Sequence, residues 1–204
     1  VRTNWLRWWF IFLFAAAVIP AFAFYLDLGV QNWITAHPNR SAKGFMHAVS
    51  RFGDWPEHAA LGLLLLGMAW WRGNKKWQRI FLSMLIALAL AGAIARVAKI
   101  ATGRARPSVH SETVWNGPQL SSRFHAFPSG HTAASSAFFG ILFFVSWRLA
   151  LACSPIPLLI GVSRMYVAAH YLSDVVGGIL VGILSAAVVA TFLLQQIRNP
   201  KSKI

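Results

Sequence analysis

The chain has 204 residues, 57% of them hydrophobic, and a mean hydropathy of +0.55; soluble domains run at about 45 to 50% apolar, so the surplus argues against a purely water-facing protein, and the length suits one domain over residues 1–204. The net charge of +14, from 19 Lys+Arg against 5 Asp+Glu, does not mark a nucleic-acid binder, because the basic residues sit between apolar runs and no nucleic-acid module is recognisable. Membrane topology and anionic lipid headgroups account for that placement, and the lone Cys153 has no partner for an internal disulfide.

The first apolar run covers residues 8–25. Arg2 and Arg7 precede it as they would a secretory signal, but the run is about long enough to span and no small-x-small cleavage site follows, so a retained first span is expected. Residues 27–55 mix Trp33, Phe45 and Phe52 with Arg40, Lys43 and Arg51 and read as an amphipathic stretch in the headgroup region. Further apolar runs cover 56–71, 77–98, 130–147, 149–162 and 175–194. The expected fold is all-α, a bundle of six transmembrane helices. The second and fifth runs are short against the ~20 residues of a span, and Pro155 and Pro157 bend the fifth helix or mark its start. With the amino terminus cytoplasmic, ten Lys and Arg fall on that side and eight on the other, Arg96 within the third run being assigned to neither. Leaving aside the outer basic residues that belong to the three clusters below strengthens the bias, so both termini are expected on the cytoplasmic side, with those clusters at the outer membrane-water boundary.

Three clusters carry chemistry. Lys99, followed after six residues by Arg106-Pro107, falls where the third helix leaves the membrane. Alone, Lys99 reads as a snorkelling anchor, and Arg96 is ambiguous in the same way. Pro107 is expected to stop the helix and leave Lys99 and Arg106 free to converge on an anion. The run Phe127-Pro128-Ser129-Gly130-His131-Thr132 opens the fourth helix, with Ser129 as the expected N-cap, Gly130 allowing close approach to the backbone, and free N–H groups at the positive end of the dipole. Ser-Gly before an apolar helix is also an ordinary start signal; His131 adds a proton donor near neutral pH.

The third cluster is Ser163-Arg164, His170 and Asp174. On a helix the i to i+4 spacing sets the Asp174 carboxylate beside the His170 ring, where it holds one nitrogen protonated and frees the other to attack. Arg164 offers a planar fork for two phosphoryl oxygens. Taken alone, His170 and Asp174 also read as a structural ion pair. Together, three cations, two imidazoles and a carboxylate at outer helix ends fit a dianionic phosphate and the charge that develops during its transfer.

The three clusters, in this order and with these internal spacings, resemble the three-part signature of the type 2 phosphatidic acid phosphatase superfamily, which also contains vanadium-dependent haloperoxidases. The signature spans residues 99–174. The resemblance implies a hydrolase with no metal and no cofactor, in which His170 attacks phosphorus and forms a phosphohistidine. It also implies that Asp174 orients His170, that His131 protonates the leaving oxygen, and that Lys99, Arg106, Arg164 and the backbone around Ser129 and Gly130 bind the equatorial oxygens. The roles of Ser163, Arg104, Arg123 and His125 are left open by it. Expected partners are a lipid phosphate substrate and membrane lipids, with no nucleic acid. Undecaprenyl diphosphate, phosphatidylglycerol phosphate, phosphatidic acid and lipid A all present a phosphate that these motifs would read alike. A lipid-to-lipid phosphotransferase would carry the same motifs, and a non-catalytic lipid-binding or transport protein would need the cations but not the His131 acid or the His170-Asp174 pair.

Overall fold

The computed structural model describes residues 3–109 and 111–193. Arg2, Arg198, Lys201 and Lys203, which entered the charge comparison, and Leu194, the expected end of the last span, lie outside the described residues. Among the described residues eight α-helices follow one another: α1 (Thr3–Ala36), α2 (Arg40–Phe52), α3 (Trp55–Trp71), α4 (Lys75–Thr102), α5 (Gly130–Gly140), α6 (Trp147–Cys153), α7 (Pro155–Tyr166) and α8 (Leu172–Leu193). Among the described residues the single β feature is an antiparallel bridge between Arg104 and Trp115, so the all-helical expectation holds.

Local chemistry sets the helix boundaries. Asn39, Asp54 and Asn74 cap α2, α3 and α4, each side chain accepting a backbone N–H of the first turn. Pro155 occupies the first position of α7, where its missing N–H costs nothing. The α4 helix ends at Gly103, whose left-handed backbone (φ 54°) carries its N–H back to the Lys99 carbonyl. The expected stop at Pro107 is therefore corrected: Gly103 ends the helix four residues earlier. A side chain at Gly103 would also strike the Gly117 carbonyl oxygen, 1.7 Å from an added Cβ.

Two other expectations change. The first helix does not end near Tyr25 but runs on to Ala36, so Asp27 belongs to α1 and not to a connecting stretch; the amphipathic segment is α2 alone. The run 130–147 is not one continuous helix. It passes from α5 into a 3₁₀ turn over Ile141–Phe144 and breaks before Trp147, a change invisible to hydropathy because every residue from Ile141 to Val145 is apolar.

Among the described residues three stretches are long and apolar enough to cross a membrane: Lys75–Thr102, Trp147–Tyr166 and Leu172–Leu193, with Gly130–Phe144 a shorter apolar stretch. Only 39%, 33% and 44% of their spanning windows is buried inside the protein, so most of each helix faces outward. The outward faces of α3, α4 and α8 carry Leu63, Leu64, Trp70, Trp71, Val97, Leu184, Val188 and Phe192, a belt that lipid covers and water would not.

Inside the bundle, α4, α5 and α8 meet through small residues. Ala87, Ala91 and Ala95 of α4 and Ala133, Ala134 and Ala137 of α5 surround Phe138, Ile141 and Ala186. Against lipid, close backbone approach supplies the packing energy that hydrophobic collapse supplies in water. At Gly182 an added Cβ would sit 2.5 Å from the Ser136 Cβ and 2.7 Å from the Ala133 carbonyl oxygen; at Gly178 it would sit 2.6 Å from the Ser129 carbonyl oxygen. Gly182→Val is expected to destabilise the fold by about 1 to 3 kcal/mol through overpacking. Thermal melts in detergent check this, and an unchanged midpoint would mean that α5 and α8 do not depend on this contact.

Candidate active site

The end of α4, the start of α5, the end of α7 and the start of α8 meet at one end of the bundle. There a cavity of about 640 Å³ is lined by Lys99, Arg106, Gly130, His131, Arg164 and His170, together with Asp54, Arg96, Ser122 and His125. Six of the eight expected site residues thus face a single space. Asp174 stands directly behind His170 and is fully buried.

Lys99 and Arg164 are each held by a neighbour through the charged group itself. The Lys99 ammonium donates to the His125 carbonyl (2.9 Å), and its Cε lies 3.4 Å from where a Cβ on Gly130 would be. A side chain at Gly130 would crowd the ammonium, so glycine keeps this corner open. Arg164 donates through Nη1 to Ser50 Oγ (2.5 Å), a hydroxyl delivered by α2. The amphipathic helix therefore does more than pack: it fixes one arginine of the site. The backbone N–H of Arg106 donates to the Arg123 carbonyl (3.1 Å), while its Nε, like that of Arg164, is buried without a partner.

Ser129 departs from expectation. It occupies the N-cap position of α5, but its side chain makes no capping bond. Its hydroxyl accepts from Thr132 Oγ1 (2.9 Å), and its N–H donates to the Asp174 carbonyl (2.8 Å). Fully buried, it does not line the cavity. Ser129 thus ties α5 to α8, with its N–H turned to Asp174 and its hydroxyl turned to Thr132. The free donors of the cradle begin one residue later, at Gly130 and His131, whose N–H groups precede the first helical bond, from Ala133 to the Ser129 carbonyl.

His170 sits in the short turn between α7 and α8. Ala168, with φ 51°, bends the chain there, and the Ala169 and His170 N–H groups both return to the Arg164 carbonyl (3.1 and 3.3 Å), which ties the imidazole to the arginine in position. The Nδ1 atom lies 3.6 Å from Asp174 Oδ2 and has no hydrogen-bond partner. The i to i+4 spacing does bring ring and carboxylate together, half an ångström or so beyond an ordinary hydrogen bond. On the other wall His131 Nε2 lies 3.6 Å from Asp54 Oδ1.

Burial, followed by the charges of Lys99, Arg164 and Arg106, pushes the His170 imidazole well below its ordinary value of 6.5. The ring is neutral, and so nucleophilic, throughout the neutral range. The unfolded chain takes up a proton near 6.5 that the folded site refuses, so stability present above 6.5 is lost as pH falls below it. Acidifying from pH 7.5 to 5 is expected to lower the melting midpoint of the wild type more than that of His170→Ala. Equal slopes would show that the ring is not held neutral by the fold.

The sequence reading missed a second layer. Arg104 is buried and donates through Nη1 to Asp174 Oδ1 (2.5 Å) and Ser173 Oγ (2.6 Å), and through Nη2 to Asp27 Oδ2 (2.6 Å). The one available signal was Asp27 itself, one of only five acidic residues, placed just after an apolar run. Arg123 is exposed and lines a separate outer hollow with Arg106, Ser108 and Ser122. His125 reaches the cavity wall, but its Nε2 is engaged with the Gln119 carbonyl (2.8 Å).

Fold and site together define a helical membrane protein with a cationic, imidazole-bearing pocket at one end of its bundle. The chain belongs to the PAP2 superfamily, whose match covers residues 80–198. It is 32% identical over 148 residues to proteins named lipid A 1-phosphatase from Rhizobium johnstonii and Rhizobium etli, an overlap of 64% of this chain with 59% and 62% of theirs. The chain therefore spans about three fifths of the length of these curated relatives. Among solved structures it is similar to a transmembrane PAP2 type phosphatidylglycerolphosphate phosphatase from Bacillus subtilis (TM-score 0.68, 21% identity, 92% of this chain and 94% of that one). It is also similar to LpxE of Aquifex aeolicus (TM-score 0.63, 20% identity, 81% and 95%). These two likenesses establish the fold.

Proposed function

We propose that the protein is a membrane lipid phosphatase that hydrolyses a phosphate monoester or diphosphate without a metal, through a phosphohistidine on His170. The observation that carries this reading is the shape of the cavity. Its polar end holds Lys99, Arg106, His131, Arg164 and His170, and its other wall is apolar, formed by Trp55 and Ala59 of α3 and by Leu85, Leu88, Ala89, Gly92 and Ala95 of α4. A ligand that fills both ends is anionic at one and hydrocarbon at the other. The apolar wall leads between α3 and α4, so a lipid enters sideways from the bilayer without lifting its chains into water.

In the first step the His170 nitrogen remote from Asp174 attacks phosphorus, the phosphorus–oxygen bond to the lipid breaks, and His131 transfers its proton to the departing oxygen. Lys99, Arg106 and Arg164 neutralise the equatorial oxygens, and the Gly130 and His131 N–H groups at the start of α5 add dipoles of the same sign. In the second step water attacks the phosphohistidine, His131 takes a proton from that water, and the phosphorus–nitrogen bond breaks to release inorganic phosphate. Among the described residues, no three or more His, Cys, Asp or Glu side chains are grouped to hold a metal ion.

In this reading the chain crosses a bacterial cytoplasmic membrane six times, with both termini inside and the cavity at the outer boundary. Its relatives' names put lipid A first among the substrates to try. The test is phosphate release by purified protein in detergent with chelator present, from lipid A, phosphatidylglycerol phosphate, phosphatidic acid and undecaprenyl diphosphate. Chelator-resistant release from at least one of them is expected. Silence on all four, or loss with chelator, would reject the reading, and label recovered on an acceptor lipid would make it a phosphotransferase.

A further inference from the structure

We infer that Asp27 and Arg104, joined through Ser173, are positioning residues for catalysis, holding the Asp174 carboxylate ionised and turned toward His170; the inference rests on the phosphatase reading above. Asp174 has two oxygens and three claims on them. Oδ1 is taken by Arg104 Nη1 (2.5 Å), and Oδ2 accepts the Tyr171 N–H (2.8 Å), leaving the remaining lone pair of Oδ2 on the His170 side, 3.6 Å from Nδ1. The carboxylate is fully buried, and its neighbours Lys99 and Arg106 are needed for substrate. Without Arg104 it would turn toward those cations or take a proton, and either change would uncouple it from the ring.

Arg104 in turn is held through both terminal nitrogens, while its Nε is buried without a partner. Asp27 Oδ2 accepts from Nη2 (2.6 Å). The Ser173 hydroxyl accepts from Nη1 (2.6 Å) and donates to Asp27 Oδ2 (2.6 Å), and the Ser173 N–H donates to Asp27 Oδ1 (2.8 Å). The guanidinium is sandwiched by aromatic rings, 4.8 Å from Trp115 and 4.6 Å from Tyr171, with Phe24 at 5.2 Å. Two carboxylates against one guanidinium leave the network with one net negative charge. That charge is turned toward the ring that must lose electron density to phosphorus and become cationic in character. A stability element alone would need no such surplus, since a buried pair is neutral and an apolar substitute is often as stable. Asp27 also reaches the site from α1, none of whose described residues lines the cavity, so the first helix is tied to the chemistry through Asp27 and through Phe24 over the same guanidinium.

The test uses the full chain in detergent, with turnover measured on whichever lipid phosphate the wild type hydrolyses. Asp27→Asn is near-isosteric; it and Ser173→Ala are expected to lower kcat by about 10- to 100-fold, the usual cost of removing an outer partner of a reacting group, with KM within about twofold. In an Asp174→Asn background, Asp27→Asn should change the residual rate by less than about twofold, because its effect runs through the carboxylate already lost. An equal fold-loss in both backgrounds, or an effect confined to KM, overturns the inference. If the wild type hydrolyses nothing, the phosphatase reading fails by itself, and the positioning is read instead from ¹⁵N spectra of histidine-labelled protein. A single Nδ1–H tautomer of His170, assigned by its absence in His170→Ala and lost in Asp27→Asn, supports the network; a tautomer unchanged in Asp27→Asn overturns it.

Discussion

His170→Ala is expected to reduce phosphate release to background, a loss on the order of 10⁵-fold or more by analogy with removal of other covalent nucleophiles, while the protein still inserts and folds. The side chain is buried in a turn whose backbone is fixed independently of the ring, by the paired bonds from Ala169 and His170 to the Arg164 carbonyl. The cations remain, so phosphate or vanadate should still bind. Retained binding with no turnover, and no acid-labile phosphoenzyme after mixing with ³²P-labelled lipid, would separate nucleophile from scaffold. Turnover within tenfold of wild type would mean that phosphorus is attacked by something else.

What could be read from the chain and what could not divides along contact distance. The spacing from Lys99 to Arg106 and from His170 to Asp174 is local, and helical or turn geometry converts it into proximity; those pairs do meet. The helix start at Gly130 is local too. Arg104 meets Asp174 across 70 residues and Asp27 across 77, and no periodicity encodes such a meeting. Asp27 looked like the point where an apolar helix gives way to a polar connection, because a lone carboxylate in lipid is prohibitive; its partner, which removes the penalty, is visible only after folding. The Gly103 stop was hidden by Pro107, the stronger breaker on paper. The motif marks Ser129 as an N-cap and part of a backbone cradle, whereas the bond its hydroxyl accepts from Thr132 and its backbone bond to Asp174 depend on α5 and α8 closing through Gly178 and Gly182.

Asp174→Asn is expected to lower turnover by about 10⁴-fold, the magnitude seen when the aspartate of a catalytic triad becomes an amide. The structure gives the reason in terms of donors and acceptors. Asp174 accepts on both oxygens, from Arg104 Nη1 and from the Tyr171 N–H. An asparagine that keeps its oxygen toward Arg104 points its NH₂ at the Tyr171 N–H and at His170 Nδ1, so that two donors face each other and the ring is driven to the tautomer protonated on its attacking nitrogen. The opposite rotamer sets the NH₂ against the buried guanidinium. Either way a buried donor loses its partner, at a cost of about 1 to 3 kcal/mol, and some loss of stability should accompany the loss of rate. The two effects separate because stability changes the amount of folded protein and tautomer changes kcat per folded molecule. Turnover normalised to folded protein, measured beside the melting midpoint, should fall by orders of magnitude with KM little altered. A rate within twofold of wild type would leave Asp174 as a partner of Arg104 in the packing of α1 against α8, and nothing more.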